Sequence, residues 1–193
     1  MGHRFRGCLV GAALAIALGL GRPVAASDGI PSVLLYLANE AGVSSDIVGG
    51  ARHEVIRIYA QIGVRVIWAE HANGNPKAPL VIIIPAISGQ WVGPLALGVA
   101  VRGAYDSGRV AYVFYDRVEP LAEKHQISVA CLLGVAIAHE IGHLLLPYGS
   151  HSPNGLMRGE WDNRQFLLAR DRLLGFTAQQ AELIRAHLMD TQD

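Results

Sequence analysis

The sequence predicts a single α+β domain built around a mixed β-sheet, and three observations lead there. Short runs rich in β-branched and aromatic residues, Val64–Trp68, Leu80–Ile84 and Arg109–Tyr115, have strand character. A long apolar stretch from Ser128 to Leu145 has the length of a helix, and two shorter helical segments close the chain. The order helix, strands, long helix, loop, helices suits elements layered around one core. A chain of 193 residues, 51% of them hydrophobic, can bury one such core and is short for two.

Residues 1–26 read as a leader, leaving 27–193 as the folded domain. His3, Arg4 and Arg6 form a short basic region, and Cys8–Leu20 is an apolar run. Pro23-Val24-Ala25-Ala26 then offers small residues for cleavage after Ala26. The run is short for a membrane span, which needs about 20 apolar residues. The expectation is a secreted or periplasmic protein with no stable membrane association once the leader is gone. With Cys8 removed, Cys131 is the one remaining cysteine. Its neighbours Val129, Ala130, Leu132 and Leu133 predict a buried, inert thiol.

Along the domain, Ser45 and Asp46 can cap a helix to about Gln61, with Ile47, Val55, Ile58 and Ile62 as its apolar stripe. Gly63 is placed to end it. The strand Val64–Trp68 alternates as a half-buried strand does, whereas Leu80–Ile84, stopped by Pro85, reads as deeply buried. Between Ile87 and Ser107 the chain is irregular, with one strand expected around Ala96–Val101. A strand at Arg109–Tyr115 follows, then a polar connection over Pro120–Gln126. The long helix from Ser128 to Leu145 stops near Pro147. After a loop, short helices are expected around Asn163–Leu174 and Ala178–Met189, with Thr177 and Gln180 forming a capping box on the second.

Lys plus Arg and Asp plus Glu are both 16, so the formal net charge is zero and no basic stripe points to a nucleic-acid partner. The chemistry concentrates at His139-Glu140-Ile141-Gly142-His143, late in the apolar helix. Histidines four apart present their imidazoles one turn apart on one face, so two ring nitrogens can reach a single Zn²⁺ ion. Glu140 points beside the metal and is placed to take a proton from a water there. Burying two histidines and a glutamate in so apolar a helix would be costly without a metal or partners.

The full run from His139 to Met157, HEIGHLLLPYGSHSPNGLM, resembles the metzincin clan of zinc metallopeptidases and, within it, a bacterial, matrixin-like group of exported proteins. The resemblance implies a fold with an N-terminal helix, a mixed sheet, a zinc-binding active-site helix and C-terminal helices. It implies His151 as the third zinc ligand beside His139 and His143, and Met157 as the methionine that turns beneath the site. Its activity would be endopeptidase cleavage of peptide or protein substrates, with Glu140 as general base. The family pattern has Gly three residues after the second His and the third His three later. Here those positions hold Leu146 and Gly149, and His151 comes eight after His143, so the connecting loop is two residues longer.

A carboxylate is the rival third ligand: Glu160 or Asp162 would give a gluzincin-like or aspzincin-like site. Two further alternatives stand beside the peptidase, a non-catalytic metal-stabilised binding module and a metal hydrolase acting on something other than peptide. Among secondary candidates, Tyr148 can reach toward an oxyanion or simply pack. Ser152 can orient the His151 ring or start a turn before Pro153. Tyr112, Tyr115, Asp116 and Arg117 lie at the end of a strand. An edge strand would pair with extended substrate, and which strand that is stays open. His53, His71, His125 and His187 lack metal spacing and read as surface residues. Roughly 20 residues between Ala26 and the first helix leave little room for an inhibitory prosegment, and no cysteine there predicts cysteine-switch latency.

Overall fold

A computed structural model describes residues 29–70, 78–86, 93, 95–103 and 109–191. The expected leader (residues 1–26), His71 and part of the glycine-rich middle lie outside the described residues. In chain order the elements are β1 (Ser32–Asn39), α1 (Ser45–Ala60), β2 (Arg65–Ala69), β3 (Leu80–Ile84), β4 (Gly98–Arg102), β5 (Arg109–Phe114), α2 (Tyr115–Lys124), α3 (Val129–Leu145), α4 (Asn163–Arg170) and α5 (Ala178–Asp190). The five described strands form one sheet in the order β2-β1-β3-β5-β4. All neighbours run parallel except β4, which pairs antiparallel with β5 and forms one edge. The α+β architecture with a mixed sheet is thus as expected.

Among the described residues the first element is a strand and not a helix. Val33–Ala38 is a nearly unbroken apolar run, as suits a parallel strand paired on both sides. The alternation in β1, β3 and β5 sends Val33, Leu35, Val81, Ile83, Ala111 and Val113 into the core. The connection expected over Pro120–Gln126 is also corrected, since α2 occupies most of it. Val118 and Ala122, one turn apart, are fully buried there. That apolar face sustains the helix despite Pro120, which lacks the N–H a helix interior uses.

The other ends fall close to their expected places. Ser44, one residue before the expected caps, accepts a hydrogen bond from the Ile47 N–H and starts α1. Gly63, at φ +71°, takes the left-handed conformation that ends it. In α5 the Thr177–Gln180 capping box forms, and Asp162 with Gln165 makes a second one on α4. Arg172, at φ 56°, ends the α4 segment sooner than Leu174.

The helix α3 is apolar on every side and almost wholly buried, as a central core helix must be. It packs across α1 at close range. A methyl group on Gly134 would lie 2.6 Å from Glu54 Cβ, and one on Gly50 would lie 2.8 Å from Ala130 Cβ. Small residues at the crossing therefore set the helix separation. Among the described residues no helix is long and apolar enough to cross a membrane. The sheet and α1 both pack against α3, and Glu140 in its later part lies beside Gly98 of β4.

Candidate metal centre

Both motif histidines project from the end of α3. The Nε2 atoms of His139 and His143 lie 3.1 Å apart. The loop after α3 returns His151 to them, with ring centroids 4.7 Å from His143 and 5.7 Å from His139. One ligand atom from each of the three imidazoles falls within 4.8 Å of the others, so this group could hold a metal ion. His139 is only 8% exposed, whereas His151 is exposed.

The outer ring nitrogens are already engaged. His139 Nδ1–H donates to the Leu156 carbonyl at 2.7 Å, and His143 Nδ1 hydrogen-bonds Ser150 Oγ at 3.1 Å. A carbonyl can only accept, so the neutral His139 ring must turn the bare lone pair of Nε2 toward His143. The His139 lone pair thus faces the other two imidazoles, an arrangement in which a cation can gather ring nitrogens from all three. Three imidazole nitrogens also form a donor set that suits Zn²⁺. The residues present therefore fit the metal that the sequence motif suggests.

Electrostatics point the same way. Burial lowers His139 from 6.5 to about 4. Burial, followed by His139, His151 and Arg102, lowers His143 from 6.5 to about 3. Both rings stay neutral, and so able to ligate, well into the acid range. Glu140, 5% exposed, is pushed up from 4.5 to about 8 by burial alone. Its side chain lies against β4: a methyl group on Gly98 would come 2.7 Å from Glu140 Cγ. An approaching cation would favour the carboxylate form.

The turn that holds Leu156 and Met157 lies against the end of α3. Met157 is fully buried, and a methyl group on Gly142 would sit 2.5 Å from its Sδ. Its neighbour Leu156 supplies the carbonyl for His139 and donates its own N–H to the Gly175 carbonyl at 2.7 Å. Ser152 takes the turn role, with its hydroxyl donating to the Asn154 carbonyl at 2.7 Å and accepting from Gln180 Nε2 at 3.0 Å. The hydroxyl that orients a ring is Ser150, which the sequence did not single out. Gly159 admits His151, since a methyl there would lie 2.9 Å from His151 Nδ1.

Glu160 and Asp162 are not gathered with the helix pair. Glu160 is exposed and its carbonyl accepts from Arg158 Nε at 2.7 Å. The Asp162 carboxylate pairs with Arg158 at 3.1 Å and caps α4. Tyr148 is fully exposed at the rim. Arg117 serves structure, donating to the carbonyls of Gly93 and Ala96 at 2.8 and 2.7 Å and so tying down the approach to β4. Tyr115 donates to Glu119 at 3.1 Å. Cys131 is buried, and burial pushes its thiol up to about 11, matching the inert role.

A cleft of about 770 Å³ opens over the three histidines and Glu140. Leu97 and Val99 of the β4 region line one side, and Trp161 and Phe166 the other. Trp161 stands edge-on to His139 at 5.8 Å and to Phe166 at 6.0 Å. His125, expected as a plain surface residue, stacks on Phe166 at 3.9 Å.

No family model and no curated protein matches the chain. Among solved structures, it is similar to metalloproteinase-II from Bacteroides fragilis, at 13% sequence identity and a TM-score of 0.49. The match covers 82% of this chain and 53% of that one, so the chain spans about half the length of that protein. The functional reading therefore rests on the side-chain geometry.

Proposed function

We propose that this chain is an exported zinc-dependent endopeptidase of the metzincin-like, matrixin-like kind, secreted or periplasmic after loss of residues 1–26. The observation that carries this reading is the convergence of His139, His143 and His151 beside a buried Glu140 in one open cleft. A purely structural metal site has no use for a carboxylate beside the metal and an open approach.

His139, His143 and His151 would hold Zn²⁺, which when bound supplies Lewis acidity and lowers the pKa of water. Leu156 and Ser150 fix the orientation of the first two rings. Glu140 takes a proton from the attacking water and returns it to the leaving amine nitrogen. The burial that now raises Glu140 also keeps bulk water from competing for that proton. The β4 strand is the sheet edge beside the cleft, and an extended peptide would add to it as a further strand.

The test joins metal content to activity. Wild type should contain about one zinc per chain and cleave unfolded protein. Glu140→Gln should keep the zinc and lose cleavage, and His151→Ala should lose zinc where Glu160→Ala does not. Zinc retained as tightly in His151→Ala as in wild type would overturn the three-histidine assignment. Cleavage undiminished in Glu140→Gln would overturn the mechanism.

A further inference from the structure

Where α3 ends, its last carbonyls have no partners within the helix. The chain leaves without a glycine: Leu146 is extended, at φ −91° and ψ 160°, and its N–H still bonds the Gly142 carbonyl at 2.9 Å. Leu146 is also almost completely buried, which anchors the departure point. Pro147, Tyr148 and Gly149 that follow are exposed, so nothing in their own burial sets the loop's course. Arg102, the last residue of β4, reaches across to this point. Its Nη2 donates to the carbonyls of both His143 and Leu146. At the far end of the loop, Ser150 Oγ meets His143 Nδ1 at 3.1 Å, one residue before His151.

We propose that Arg102 is a positioning residue, which pins the end of α3 to the β4 edge and so directs the lengthened loop that carries His151 to the metal site. Its Nη2 carries two N–H donors, so one nitrogen can hold two carbonyls. A cation at a helix C-terminus is favoured by the helix dipole as well. One of the two carbonyls belongs to His143, itself a proposed ligand, so the same contact fixes both the start of the loop and the backbone of a ligand. The lengthened spacing is tolerated because the loop is tied at Arg102 and again at Ser150.

This inference rests on the zinc reading, and the experiment separates the two. Zinc affinity would be measured by competition with a chromophoric chelator, and site geometry by the visible spectrum of the Co²⁺-substituted protein. Wild type, Arg102→Ala, Arg102→Met and Arg102→Lys would be compared. Arg102→Ala and Arg102→Met should bind zinc 10- to 100-fold more weakly, the range typical of residues that orient metal ligands. Their Co²⁺ spectra should differ from wild type, and Arg102→Lys should recover part of the affinity. Arg102→Met keeps the side-chain stem without a donor, so it separates lost packing from lost hydrogen bonds. Folded alanine and methionine variants with wild-type affinity and spectrum would overturn the proposal, even if the melting temperature of the metal-free form fell. Failure of both to fold would overturn it in favour of a role in stability. Absence of zinc from wild type would overturn the peptidase reading and this inference together.

Discussion

The Leu156 carbonyl accepts a 2.7 Å hydrogen bond from His139 Nδ1, and the next residue, Met157, fills the space beneath Gly142. The Leu156–Met157 turn is thereby joined to His139 through backbone rather than through sulfur. It sets the tautomer of His139 and supports the helix between His139 and His143. Met157→Ala should therefore do two things. The lost core volume should cost roughly 2–5 kcal/mol of stability. Leu156 should also shift, weakening zinc binding, whereas Met157→Leu should retain most of both. Urea unfolding and chelator competition on the same samples would check this. A large stability loss with unchanged zinc affinity would show that the turn props the core and leaves the site alone.

Glycine at position 98 matters for Glu140. A methyl there would meet the Tyr112 carbonyl at 2.5 Å and Glu140 Cγ at 2.7 Å. Neither the sheet backbone nor a carboxylate buried to 5% exposure has room to yield. Gly98→Ala should reduce cleavage at least tenfold by displacing the proton acceptor, since even small misplacements of catalytic groups are costly. Zinc content should fall less than cleavage, because the rings of His139 and His143 are held by Leu156 and Ser150 rather than by β4. Cleavage at the wild-type rate would place Glu140 away from the reacting water.

What the sequence revealed and what it hid differ by kind of residue. His139, Glu140 and His143 were legible because a helix has a fixed period, which turns spacing into geometry. His151 lies beyond a loop with no such period, and only the resemblance of the whole run singled it out. Ser150, Gly98, Gly159 and Arg102 escaped notice because their roles depend on approach from other segments. The Leu156 contribution is a backbone carbonyl, which any residue type provides. Among elements, β1 was missed because its place comes from pairing with β2 and β3, which no local pattern in Val33–Ala38 displays, and α2 because Pro120 argues locally against a helix that tertiary burial of Val118 and Ala122 sustains. Which strand borders the cleft was left open; it is β4, one of the two sheet edges, and strand order is a property of pairing that sequence spacing does not carry.

Cys131 offers a test of packing around α3. Its thiol donates to the Ala169 carbonyl at 3.4 Å, and burial pushes it up to about 11. A thiol reacts as its thiolate. In the folded protein at pH 8, Cys131 should resist a disulfide reagent for hours, and it should react within minutes in denaturant. Rapid labelling of the native protein would mean that the α3–α4 contact opens readily.

The buried ionisable groups make opposite demands on the metal-free protein, and their balance can be worked out. Folding lowers His139 from 6.5 to about 4 and His143 from 6.5 to about 3. Below pH 6.5 the unfolded chain therefore takes up protons that the folded one refuses, and stability falls as pH drops. Glu140 acts the other way. Raised from 4.5 to about 8, it keeps a proton in the folded protein that the unfolded chain has released, so stability falls as pH rises through that window. Between about pH 4.5 and 6.5 two histidines outweigh one glutamate, and above 6.5 only Glu140 contributes. From these three groups, the chelator-treated protein should be most stable near pH 6.5, as read by urea midpoints at pH 5, 6.5 and 8. Glu140→Gln should abolish the alkaline decline and leave the acid one. Zinc should act similarly by favouring the carboxylate and adding binding free energy to the folded state alone. A metal-free wild type whose midpoint keeps rising from pH 6.5 to 8 would show that Glu140 is already ionised in the empty site.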